Sequence, residues 1–517
     1  MKTPPKPGWN DPPFVEPSAP LIGVAGHPLV ARILARRGLE APAAARAFLD
    51  PDAYSPAPSS ELPDLPIAAA RLRDAIQRGE RILVWGDFDV DGQTPTALLS
   101  SALQRLGADV STYIPNRLRE GHGIQTSALQ NNLLGVDLLL TCDTGVAEHE
   151  AITYARAKGV TVIVTDHHDL PPELPPADAV VDPKRLAPEH PLYELPGVGV
   201  AFKLSQELQR LTGHPLARAD SDLDLVALGI VADVATQTGD TRYLLQRGMD
   251  QLRQTRRVGL QALMNQAKIQ ATHLTTDHIG FGLGPRLNAL GRLGDANLAV
   301  ELFSTDDVSR ARILAAQLET LNGRRRLYTE QTYAAAQEQI AQEPALLDDS
   351  ALVLSGPRWH PGVIGIVASR LAELYGRPTV LISEGEDGTG RGSARSVPGV
   401  DIHAAITAVE SLLAGHGGHA GAAGLSLAAD QIKSFRRALS HAVEAVWDRS
   451  ILPGLNIDAV LEWNEPSLEL VESLNALAPF GEGNPPILLV TPNLQLASAR
   501  VFGRDRTHRR MTCLLYT

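Results

Sequence analysis

The chain is 517 residues long and 44% hydrophobic, too long for one core and apolar enough for roughly three to four domains that each bury their own. Its formal net charge of −12 and pI near 5.7 argue against a protein that coats nucleic acid by bulk electrostatics, while leaving room for a nuclease with an acidic metal site and locally basic grooves. No apolar run approaches the ~18 residues of a transmembrane helix, proline stands where a signal peptide would be apolar, and two cysteines, Cys142 and Cys513, make no disulfide framework, so a reducing cytoplasm is expected.

Residues 1–20 are Pro-rich and read as an irregular arm. Apolar residues at helical spacing from His27 to Leu49 give two short helices, so 1–48 is set apart as an N-terminal arm with helices. An α/β domain is expected over 49–240. There, after an amphipathic helix at 67–77, strands at 81–85, 109–114, 137–141, 160–165 and 177–181 alternate with helices. That alternation is the mark of βαβ units and a parallel, doubly wound sheet. From about 197 the pattern turns helical, and 241–345 is read as a helical connector. Its stretch 306–342 holds no proline and one glycine, Gly323, and is expected to be a long helix or a kinked pair bridging two lobes.

A second α/β domain is expected over 346–450, with strands at 351–354 and 379–382, a helix at 363–374, a Gly/Arg/Ser turn region at 390–396 and a glycine-rich loop at 415–421. From Leu455 the chain is β-rich, and 451–517 reads as a small barrel of the oligonucleotide-binding type. About four strands are visible where a closed barrel takes roughly five, so the barrel is expected to be incomplete. Two arginine-rich stretches, 242–257 and 504–510, read as solvated faces.

The chemistry gathers at strand ends. Asp87, Asp89 and Asp91 follow the first strand at alternate positions, and three carboxylates so close either raise a pKa strongly or bind metal. A helix cap would use one of them and leave two unexplained. The third strand ends in Cys142-Asp143, and the fourth in Asp166-His167-His168. Asp233 closes the apolar run 225–231 and needs a partner. In a doubly wound sheet these ends share one crevice. Four or five aspartates against one or two histidines favour Mn or Mg over zinc, and more carboxylates than one ion needs favour a two-metal site for displacement at phosphorus.

GDFDVDG, LLLTCDTG, VIVTDHHD and GIVADV, in that order, resemble the four motifs of the DHH phosphoesterase superfamily. HPLVARILARRG, PRLNALGRLGDANLAVELF, WHPGVIGIVASRL, GHGGHAGAAG and LAPFGEGNP narrow the resemblance to its bacterial exonucleases specific for single-stranded DNA, over residues 27–510. The ending THRRMTCLLYT fits only as far as about Arg510, and is read as a truncation or an altered reading frame. The resemblance implies a Mn²⁺- or Mg²⁺-dependent enzyme that degrades single strands 5′ to 3′ into mononucleotides in DNA repair and recombination. It further implies a monomer at the nucleoid of a bacterial cytoplasm, with single-strand-binding protein and a RecQ-type helicase as partners.

By the same resemblance Asp87, Asp89 and Asp143 surround one ion, and Asp91, Asp143, His167 and Asp233 the other. Asp143 bridges, and His168 faces the scissile phosphate, which makes Asp143 and His168 the catalytic pair. Arg391, Ser393 and Arg395, with Gly417, Gly418 and His419 of the glycine-rich loop, belong to the DHH-associated domain and are expected to anchor the 5′ phosphate. Arg117, in the loop 116–123, and Arg286, Asn288 and Arg292 are expected to contact the strand, although Arg286 and Arg292 also suit interdomain ion pairs. His122 stands where the family more often has an aromatic residue. Trp359 and His360 suit a core as well as a site, and Cys142 is expected to be buried rather than nucleophilic. The alternative within the superfamily is a phosphoesterase of short oligonucleotides, cyclic dinucleotides or polyphosphate, against which the arm and barrel weigh.

Overall fold

The structure is a computed structural model and describes residues 8–10, 13–213, 222–451, 454–462, 465–492, 494–503 and 508–515. It forms two compact units, Ala57–Leu452 and the pairing of Pro7–Pro56 with Pro453–Thr517.

The first unit is built on a five-stranded sheet, all parallel, in the order Asp109–Tyr113, Arg81–Trp85, Leu138–Thr141, Thr161–Thr165, Ala179–Val181. The central strands are continuously apolar because both faces are covered. Ile82, Val84, Leu138, Leu140 and Ile163 enter one core, while Leu83, Trp85, Leu139, Val162 and Val164 enter another on the opposite face. The larger core is completed by helices Gly197–Thr212, Leu223–Ala232, Gly239–Arg253 and Val258–Ala267. A π-helical turn, His278–Leu283, and helices Gly284–Leu293 and Asn297–Ser304 join them; they fall within the stretch read as a helical connector but were not delimited there one by one. The stretch expected as a long helix or a kinked pair is one helix of 35 residues, Val308–Gln342.

The second lobe of this unit carries a mixed sheet in the order Gly415–His419, Ala422–Ala428, Thr389–Arg395, Thr379–Glu384, Leu352–Gly356, of which only the last two strands are parallel. Two expectations are corrected here. The region 390–396 is a strand, not a turn, and 415–421 is a hairpin arm, not an open loop. Glycine and serine read as turn formers, yet between strands whose inward positions are Val380, Ile382, Ala394, Ala423 and Leu425 they are carried into the ladder by their neighbours' burial.

In the second unit, helices Pro28–Arg36 and Pro42–Leu49 are the two expected between His27 and Leu49, and a further helix, Ala19–Ala25, precedes them. They share a core with C-terminal residues: Leu21, Val30, Ile33 and Leu34 pack with Ala459, Leu461, Leu470 and Leu477. Gly8–Asn10 pairs with Gly454–Asn456, so the Pro-rich arm is not wholly irregular. The strands Leu494–Phe502 and His508–Leu515 form an antiparallel ribbon, which continues past Arg510, where the resemblance had been expected to stop. Of the basic run 504–510, residues 504–507 lie outside the described residues.

Candidate metal centre

Within the parallel sheet, the chain leaves Arg81–Trp85 toward one edge and returns to its other side, which makes the crevice beyond the carboxyl ends of Arg81–Trp85 and Leu138–Thr141 the switch point of the topology. Asp87 and Asp89 follow the first of these strands. Asp89 caps the helix Val90–Arg105 by accepting from the Gly92 amide at 3.1 Å, which places Asp91 in its first turn. Asp143 follows the second strand with φ at 59°, the left-handed region that a residue with a side chain rarely occupies. His167 and His168 follow Thr161–Thr165, and Asp233 ends the helix Leu223–Ala232.

These side chains converge in three overlapping groups whose ligand atoms lie within 4.8 Å of one another: Asp87, Asp89 and Asp143; Asp91, His167 and Asp233; and Asp143, His167 and His168. Asp91 is held by the amino end of the helix Gly197–Thr212, accepting from the amides of Gly197 (2.6 Å) and Val198 (3.1 Å). His167 Nε2 lies 3.0 Å from Asp143 Oδ1 and 3.7 Å from Asp91 Oδ2. Asp143 Oδ1 is nonetheless buried without a hydrogen bond, an arrangement that costs about 1–3 kcal/mol unless another group, such as a cation, meets it.

The electrostatics carry the same mark. Burial, then the charge of Asp89, pushes Asp87 up to about 8. Burial and Asp233 push Asp91 up to about 7, and burial and Asp89 do the same for Asp233. Asp143 is driven well above the usual carboxylate range by burial and Asp91. Burial lowers His167, which keeps it in the neutral form that ligates metal. The donor set is rich in oxygen, crowded with like charge and unsatisfied at its centre, and these residues fit a pair of hard divalent cations.

Asp166 went unassigned in the sequence. Its Oδ1 accepts from the backbone amides of His167 (2.8 Å) and His168 (3.3 Å) and lies 2.7 Å from His168 Nδ1, while Oδ2 accepts from the Val146 amide at 2.9 Å. Burial opposes charge on His168, but the Asp166 carboxylate outweighs it and pushes the imidazole up to about 10. The signal available was an aspartate between a strand end and two histidines, the position of a side chain that orients its neighbours.

The proposed substrate residues divide. Arg391, Ser393 and Arg395 alternate along one strand and so share a face. Arg391 donates to the Leu118 carbonyl at 3.3 Å, and Arg395 to Ser393 Oγ at 3.0 Å. Arg117 lies over the Phe88 ring at 4.9 Å, and His122 meets the same ring edge-on at 4.5 Å. Burial and Arg117 lower His122 to about 4. Arg292 donates to the Gly362 carbonyl at 3.1 Å, with Asn288 half-buried one turn before it on the same helix.

Arg286, by contrast, is buried in an ion pair with Glu319 at 2.6 Å and donates to the Gly282 carbonyl. Gly417 and Gly418 lie on an edge strand, paired with Gly424 and Ala423. Their amides alternate in direction and do not form the concave nest expected of a loop. His419 Nδ1 accepts from the Gly421 amide across the turn, and His416 lies 3.6 Å from Glu410. Trp359 is buried in the second lobe's core, and Cys142 in that of the first.

Parallel-sheet lobe, acidic switch point and facing mixed-sheet lobe together define a DHH-type phosphoesterase architecture. The DHH family N-terminal domain model matches residues 81–230, and the DHHA1 domain model residues 348–445. A third model, the RecJ OB domain, matches 457–515 and carries the likeness beyond Arg510. The chain is 35% identical over 475 residues to the single-stranded-DNA-specific exonuclease RecJ of Escherichia coli, with 88% of this chain and 82% of that protein covered. It is 36% identical over 491 residues to the protein of the same name from Bacillus subtilis, covering 94% of this chain and 61% of that one. Among solved structures, RecJ of Thermus thermophilus in complex with Mn²⁺ superposes with a TM-score of 0.83 at 32% identity, over 98% of this chain and 72% of the other. The chain belongs to the RecJ family.

Proposed function

We propose that this chain is a Mn²⁺- or Mg²⁺-dependent exonuclease that hydrolyses single-stranded DNA from the 5′ end and releases mononucleotides. The observation that carries the reading is the chain of three ligand groups, two sharing Asp143 and two sharing His167, with buried carboxylates that cannot all be charged unless cations lie among them. Relatives named single-stranded-DNA-specific exonucleases, and structures of RecJ from Thermus thermophilus in complex with Mn²⁺ and with Mg²⁺, support the substrate and the metal. Asp87, Asp89 and Asp143 would hold one ion, and Asp91, Asp143, His167 and Asp233 the other. Bound there, two divalent cations supply a nucleophilic water and neutralise charge for in-line displacement at phosphorus.

The chain's own groups do the rest. Asp143 holds both halves of the site in register. Asp166 fixes His168 through Nδ1, leaving Nε2 to donate to a phosphoryl oxygen as its charge grows. Ser393 and Arg395 take the 5′-terminal phosphate, and a fixed distance from there to the aspartates makes cleavage stepwise. The family resemblance supports single-strand-binding protein and a RecQ-type helicase as partners, a monomeric state, and work at the nucleoid of a bacterial cytoplasm.

The test is digestion of a long single strand in Mn²⁺. Wild-type protein is expected to shorten it one nucleotide at a time from the 5′ end, and Asp143→Ala to leave it intact. Equal degradation by both would overturn the metal mechanism, and activity confined to very short substrates would favour a small-molecule phosphoesterase.

A further inference from the structure

The helix Val308–Gln342 buries Ala311, Leu314, Ala315, Leu318, Asn322, Thr332, Ala336 and Ile340. Spaced three or four apart, they form one inward stripe, with half-buried Arg325 and Thr329 filling the gap between Asn322 and Thr332. The stripe is apolar at both ends. Ala311, Leu314 and Leu318 belong to the core of the first lobe, and Ala336 and Ile340 to that of the second. In the middle it is polar, where the helix passes from one lobe to the other. Glu319 pairs with Arg286 of the first lobe, and nine residues on, about 13 Å along the axis, Tyr328 stacks on His360 of the second, with centroids 5.3 Å apart and planes 5° from parallel.

Two groups in this span lack the partners that burial demands. Asn322 is fully buried, and neither its amide nitrogen nor its oxygen is hydrogen-bonded. Arg325 Nε is buried without an acceptor, and no carboxylate pairs with Arg325 among the described residues. Another cation, Arg292, stands near it, and burial followed by Arg117, Arg395 and Arg325 lowers Arg292 to about 10. Burial, Arg326 and Arg286 lower Arg325 as well. Thr329, the next polar position on the stripe, is satisfied by the Arg325 carbonyl at 2.8 Å. A buried guanidinium nitrogen that lacks an acceptor and is repelled by neighbouring cations is stabilised when an anion enters.

We propose that Arg325, with Asn322 one turn before it, forms a phosphate subsite on the connecting helix that grips an internal phosphodiester of the strand while the metal centre holds the terminal one. The stacked Tyr328–His360 pair, one turn further along, offers an aromatic face to the adjoining base. The subsite rests on the exonuclease reading. It adds a grip that depends on strand length and not on the 5′ end.

The test is binding of a 5′-phosphorylated and a 5′-hydroxyl oligo(dT) 12-mer to the full chain in EDTA, measured by anisotropy across a series of KCl concentrations. Arg325→Ala is expected to weaken both strands alike, about tenfold, and to reduce the slope of log affinity against log salt by about 0.7, one phosphate's worth for a single strand. Arg325→Lys is expected to restore the slope and only part of the affinity, because it keeps the charge and loses the planar fork. Neither variant is expected to lower the melting temperature. Weaker binding with an unchanged salt slope, an effect confined to the 5′-phosphorylated strand, or unchanged affinity would each overturn the subsite. Failure of wild-type protein to bind either strand would count against the exonuclease reading itself.

Discussion

Asp87, Asp91, Asp143 and Asp233 are raised by burial first and by a neighbouring carboxylate second, to about 8 for Asp87 and about 7 for Asp91 and Asp233. The sign of the pH dependence follows. An unfolded aspartate titrates near 3.9, so between that value and 7–8 the metal-free folded state holds protons that the unfolded state has released. The stability these groups contribute is complete below about pH 4 and is lost as pH rises through 7 to 8. In EDTA the melting temperature is therefore expected to fall from about pH 5 to about pH 8.5, and saturating Mn²⁺ is expected to abolish the fall, because cations replace the protons. A metal-free melting temperature that stays level across this window would contradict the packing of the four carboxylates. The ligands themselves were legible because strand ends, alternation and an apolar run each left an aspartate without a partner. For Asp166 the sequence offered only its place between a strand end and two histidines, because its work is done through backbone amides and one imidazole nitrogen, contacts that only the fold displays.

Among elements, the parallel strands were readable because burial on both faces leaves nearly unbroken apolar runs such as those at 82–84 and 138–140. The strands 389–395 and 415–419 were not. Glycine and serine signal turns locally, and only their ladder partners, Ala423 and Leu425, supply the burial that decides the outcome. The approach of helices to the metal site was equally invisible, though one glycine now explains it. A Cβ on Gly229 would lie 2.7 Å from Asp91 Oδ1, 2.8 Å from Thr94 Oγ1 and 2.5 Å from Val198 Cγ1. Gly229→Ala is thus expected to destabilise the protein by about 1–3 kcal/mol through overpacking. It is also expected to weaken Mn²⁺ binding by displacing Asp91, as read by urea unfolding and isothermal titration. A variant as stable and as metal-avid as wild type would show that the helix can shift without moving the carboxylate.

At the scale of the molecule, the sequence divides into five consecutive segments, whereas the chain folds into two units, one of which joins its two ends. Gly8–Asn10 pairs with Gly454–Asn456, and the core around Leu21, Ile33 and Leu34 includes Leu461, Leu470 and Leu477. Short segments hundreds of residues apart carry no periodicity that would reveal the match. The division has a thermodynamic consequence. All the candidate ligands lie in the Ala57–Leu452 unit, so a ligand that binds only its folded form raises that unit's stability by mass action and leaves the other unit's own core untouched. Calorimetry is expected to resolve two transitions, of which Mn²⁺ raises one. Leu34→Ala, which removes a fully buried side chain from the core of the other unit, is expected to cost about 2–5 kcal/mol and to lower the Mn²⁺-insensitive transition alone. A single transition that moves with both Mn²⁺ and Leu34→Ala would mean that the two cores unfold as one cooperative body.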